Sequence, residues 1–97
     1  MNTNRKRSLE PECRALHATL RANLRRRMDA FHETGREGTG IGIIRLARKA
    51  GIGVGSVQSI LGDPEHSPSL RVLDHLARVF DVTVAELLDQ RGGGHEA

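Results

Sequence analysis

Aromatic side chains are nearly absent: the 97-residue chain has no Trp, no Tyr and two Phe, Phe31 and Phe80. Leu, Ile and Val must therefore fill any core, which suits packed helices better than a β-sandwich. Cysteine occurs once, at Cys13. That excludes an intrachain disulfide and fits a reducing compartment. No apolar run approaches the roughly 18 residues of a membrane span, and no signal-peptide pattern opens the chain. A cytoplasmic protein with no membrane partner is expected. The length fits one small domain.

The net charge is only +3, but it is unevenly placed. Residues 1–60 carry +7 and residues 61–97 carry −4. The basic part suits a polyanion, and the acidic part is expected to face away from it.

Periodicity predicts five helices in one all-α domain over residues 11–90. A flexible basic arm (1–10) and a disordered tail (91–97) are expected to flank it. Leu16, Leu20, Leu24 and Met28 recur every four residues, with Phe31 three later, drawing one apolar face on a first helix that begins at Pro11. Four glycines within residues 34–42 (TGREGTGIG) mark a loop. A helix follows over IIRLARKA (43–50), stopped by Gly51, and another over VGSVQSIL (54–61). The segment 63–68 is a loop. Ser69 is placed to cap a fourth helix whose inner face takes Leu70, Leu73, Ala77 and Phe80, with Leu76 alongside. Thr83 and Glu86 form the T-x-x-E pattern of a capping box, predicting a fifth helix over VAELLDQ.

Residues 43–62 read as a helix-turn-helix. Such a motif needs a small residue where the helices cross, and Ala47 meets that need. Gly51 suits a turn residue of positive φ. Leu46 and Ala50 on one helix face Val57 and Ile60 on the other. The second helix then projects its outer face, which fits a major groove about 12 Å wide.

The run from Leu46-Ala47 through Gly51, Ile52, Gly53 and Ser56-Val57 continues to Pro68-Ser69-Leu70, Phe80 and Val82 to Leu88. It resembles the lambda repressor/Cro-type DNA-binding domain in order and spacing. The piece GIGVGSVQSI also resembles the helix-turn-helix that ends serine recombinases. The first resemblance implies a compact five-helix lambda-repressor-like fold. It also implies duplex DNA as partner and a bacterial or phage-encoded regulator of the phage-repressor kind acting at the nucleoid. By the family pattern Val54, Gly55, Ser56 and Ser59 face the groove, with Gln58 on the flank. The chain departs from the pattern at four places. The loop at 34–42 is longer. Ile43 stands where a phosphate-binding Gln is usual, and Gly53 where Ser or Thr caps the recognition helix. Asp63 and Glu65 occupy a loop that is often basic.

Bidentate reading of guanine needs Arg or Lys, and of adenine Asn or Gln, so Gln58 alone qualifies. Val54 suits a thymine methyl, and Gly55 allows close approach. Base discrimination from this helix is expected to be modest, with DNA shape contributing. Phosphate contacts are expected from Arg45, Arg48 and Lys49, from Arg36 in the long loop, and from the arm Arg5-Lys6-Arg7, which suits a minor groove.

Other chemistry finds little support. Residues 38–42 (GTGIG) lack the strand and the Lys-Ser/Thr of a nucleotide-binding loop. Cys13 and His17, four apart, read as two partly buried helix residues rather than half of a metal site. No Ser/His/Asp set is evident, so no cofactor, metal, small-molecule ligand or enzymatic activity is expected. The leading expectation is a homodimeric transcriptional repressor. Val84, Leu87 and Leu88 either form its dimer contact or complete the core. The alternative is a protein-interaction module, such as an antitoxin or adaptor, on the same scaffold. It draws on the sparse base-reading set and the acidic loop.

Overall fold

A computed structural model describes residues 11–90. They form five helices: α1 (Pro11–Ala30), α2 (Ile43–Ala50), α3 (Val54–Gly62), α4 (Leu70–Phe80) and α5 (Val84–Leu87). There are no strands among the described residues. The predicted arm and tail lie outside them.

Helix ends follow from local chemistry. Ser69 Oγ accepts the Val72 N–H at 3.1 Å. The Thr83–Glu86 box closes in both directions. Each satisfies backbone donors that a helix start leaves free. Asp81 ends α4 in the left-handed region, at φ 57°, a conformation that a short polar side chain tolerates.

Helix α2 packs against α3 and α4, α4 against α5, and α1 against α3 and α5. Leu20, Leu24, Leu46, Val57, Ile60, Leu76 and Leu87 are almost completely buried where these elements meet. Phe31 and Phe80 pack edge-to-face at 5.8 Å, joining the end of α1 to the end of α4. Burial of Leu87 resolves one alternative left open by the sequence: this residue belongs to the core. Val84 and Leu88 are half-buried.

Two stripe leucines behave differently from expectation. Leu16 is 41% and Leu70 75% exposed. Leu70 is the first residue of α4 and lies ahead of the turn that packs. Near Leu16 the buried position of α1 goes instead to His17, while Cys13 is exposed. Helix α5 is also shorter than predicted. Its end is drawn to α1 by the buried Asn23, whose amide donates to the carbonyls of Leu87 (2.8 Å) and Asp89 (3.1 Å). Those contacts meet carbonyls that a helix end leaves unpaired. The long loop is anchored too: Gly40 N–H donates to Phe31 O and Ile41 N–H to Met28 O. This places Ile41 in the core.

His17 carries a pH dependence. The Arg21 guanidinium donates to its Nδ1 at 3.3 Å, which puts the proton of the neutral ring on Nε2. Burial, followed by the charges of Arg21 and His66, pushes its pKa below the ordinary 6.5; Asp63 and the Pro64 carbonyl oppose this. The folded protein thus favours neutral His17, and its stabilising effect is present above about pH 6.5 and lost as pH falls below that value. Denaturant midpoints are expected to drop between pH 7.5 and 5.5, with a smaller drop in His17→Gln. An equal drop in both proteins would exclude His17 as the source.

Candidate nucleic-acid interface

The turn between α2 and α3 is built as its sequence requires. Gly51 takes φ 74° and ψ 33°, and its N–H reaches Ala47 O and Arg48 O. Ile52 N–H adds a bond to Ala47 O at 3.0 Å. Ala47 is 1% exposed, buried on the face of α2 that packs against its neighbouring helices. One further support was not legible in the sequence. His75 of α4 donates from Nδ1 to the Ala50 carbonyl at 2.7 Å, meeting the open C-terminal end of α2.

Behind α3, Val57, Ile60 and Leu61 are buried. Its outer surface carries Val54, Gly55 and Gln58, all exposed, with Ser56 and Ser59 half-buried. The four residues expected to face a groove, and Gln58 expected on its flank, thus lie on or beside one accessible surface. Gly53 caps α3 without a side-chain bond. A Cβ on Gly55 would meet nothing within 4 Å, so glycine there is not demanded by the fold.

The expected phosphate contacts divide into two groups. The Arg48 side chain is exposed and, among the described residues, makes no hydrogen bond or ion pair. Arg45 and Lys49 both pair with Glu33, Lys49 at 3.0 Å, and Arg36 approaches the same carboxylate at 4.0 Å. The Lys49 hydrogen bond, helped by Arg45, holds the Glu33 carboxyl below its usual range against partial desolvation. Glu33 therefore already offers these cations the kind of oxygen a phosphate would offer. Sequence reasoning missed it because the loop between the partners hides their proximity. Arg5, Lys6 and Arg7 lie outside the described residues.

The acidic loop after α3 is also partly compensated. Glu65 pairs with Arg14 at 2.9 Å, and Asp63 Oδ1 accepts the Glu65 N–H at 3.0 Å. Arg25 of α1 donates to Leu61 O at the end of α3. These contacts fix how the loop leaves α3.

A family model for the Cro/C1-type helix-turn-helix DNA-binding domain matches residues 39–90, more than half of the chain. The chain belongs to this family. The Cro/C1-type match covers all of α2 to α5, the turn at Gly51 and the outer surface of α3. Membership implies DNA as the partner of the domain. No curated protein and no solved structure matches the chain. Among the described residues, no group of three His, Cys, Asp or Glu is placed to hold a metal ion, and no helix is long and apolar enough to cross a membrane.

Proposed function

We propose that this protein is a transcriptional regulator that binds duplex DNA as a homodimer and represses by occupying its site. The observation that carries this reading is the accessible α3 surface of Val54, Gly55 and Gln58, set beside the unpaired Arg48 in a Cro/C1-type domain. Helix α3 enters the major groove. There the Gln58 amide reads an adenine edge, Val54 touches a thymine methyl, and Gly55 lets the backbone come close. The hydroxyls of Ser56 and Ser59 add single hydrogen bonds. Arg48 neutralises a phosphate directly. Arg45, Lys49 and Arg36 reach phosphates by exchanging the Glu33 carboxylate for them, while Arg5, Lys6 and Arg7 follow the duplex from the arm.

One amide gives limited discrimination, and a second copy placed about one turn away, roughly 34 Å, doubles it. Leu87 is committed to the core, and the half-buried Val84 and Leu88, which pack against that core, offer their remaining exposed surface to the dimer contact.

Selection of bound duplexes from a random pool tests this reading. A two-fold consensus is expected, with affinity falling steeply as salt rises. Gln58→Ala should weaken the selected site by about 1–3 kcal/mol and relax the consensus at one base per half-site. Absence of duplex binding at low salt would sink the proposal, and an unchanged consensus in the variant would remove Gln58 from base reading.

A further inference from the structure

Nearly every cation of the described residues has a partner. Arg36, Arg45 and Lys49 share Glu33. Arg14 holds Glu65 and Arg78 holds Asp74. Arg21, Arg25 and Arg26 are bonded to His17, Leu61 O and Asn23, and Arg27 is also engaged. Two remain unpaired, Arg48 and Arg71, and both are exposed.

Arg71 stands in the first turn of α4. It lines a cleft between that turn and the α2–α3 turn, together with Gly53, Ser56, Ser69 and His75. No carboxylate lines this cleft. Gly53 and Ser56 belong to the start of α3, so Arg71 flanks the recognition helix from α4. An exposed guanidinium near a helix start gains nothing from the helix dipole, whose positive end lies there. Its placement thus contributes little to α4 itself. The same placement suits an external anion, since a guanidinium presents several donors in the geometry of a phosphate edge.

Resting on the DNA-binding reading above, we propose that Arg71 is a DNA-backbone contact. It binds a phosphate of the strand passing the start of α3 and fixes the depth and angle at which α3 sits in the groove. The position is easily overlooked in sequence, since Arg71 lies in the part of the chain whose net charge is −4.

The test uses the full chain, a mixed-sequence duplex of about 20 base pairs and a series of monovalent salt concentrations. Losing one phosphate contact lowers the slope of log affinity against log salt by about 0.9 per protein copy. At about 0.1 M salt this corresponds to a roughly eightfold loss of affinity. Arg71→Ala is expected to show both effects equally on the selected site and on unrelated duplex. Arg71→Lys should restore most of the slope. Arg78→Ala, which removes an α4 cation already paired with Asp74, should bind like the wild type. Thermal melts of all variants should superimpose, because Arg71 and Arg78 are exposed.

A wild-type protein that binds, with Arg71→Ala showing the same slope and affinity, would overturn this inference alone. A loss confined to one sequence would also overturn it, since a phosphate contact is blind to sequence. A wild-type protein that binds no duplex would overturn the inference together with the reading beneath it.

Discussion

Replacing Gly55 with glutamate is expected to abolish duplex binding while leaving the protein at least as stable as before. Gly55 lies in the first turn of α3, exposed, with open space where a Cβ would stand. Glycine within a helix costs about 0.5–1 kcal/mol relative to a good helix former. A carboxylate near a helix start adds about 0.3–1 kcal/mol of favourable dipole interaction. The unbound protein therefore loses nothing. Against DNA, the new side chain fills the space needed for close approach and sets a negative charge towards phosphates. Like-charge juxtaposition across an interface costs several kcal/mol, and each 1.4 kcal/mol is tenfold in affinity. A loss of at least about 100-fold is expected by fluorescence anisotropy on the selected site, with an unchanged or raised melting midpoint. Retained binding would show that this α3 surface is not what meets DNA.

The second large effect concerns the core. Leu24 is completely buried in the middle of α1. Leu24→Ala removes that contact and leaves a cavity, at a cost of about 2–5 kcal/mol. A domain of this size holds on the order of 5–10 kcal/mol in total. For chains of 60–100 residues each kcal/mol moves the melting midpoint by about 4–8 °C, so a fall of at least about 8 °C is expected. Leu70→Ala supplies the comparison. Leu70 was expected on the inner face of α4, yet it is 75% exposed, and its loss should change stability by less than about 0.5 kcal/mol. Equal destabilisation by both substitutions would contradict the packing described here.

The contrast between Leu24 and Leu70 shows how much was legible in the sequence. Spacing and capping residues located the five helices, and Ala47, Gly51 and Val57 do in the fold what their chemistry suggested. These features are local, so a linear reading finds them. What escaped were contacts between residues far apart in the chain. Asn23 reads as a polar residue on an Arg-rich helix until the end of α5 lies over it. Ile41 looks like part of a glycine loop until that loop folds back on α1. His75 becomes meaningful only beside Ala50. The same limit affects the interface. Arg45, Arg48 and Lys49 look equivalent in sequence, and only the fold shows that Glu33 engages two of them and leaves Arg48 unpaired.

The Asn23 clamp also bears on where the chain can be cut. The family match begins at residue 39, which invites the view that 39–90 is a portable module. Yet the carbonyls of Leu87 and Asp89 are held by a side chain 64 and 66 positions upstream, and Leu61 O by Arg25. A fragment starting at residue 39 would bare the apolar surface that Leu20, Leu24 and Met28 cover. Shuffling by recombination would therefore have to carry the first helix along with the helix-turn-helix, and the smallest heritable unit here is longer than its recognisable signature.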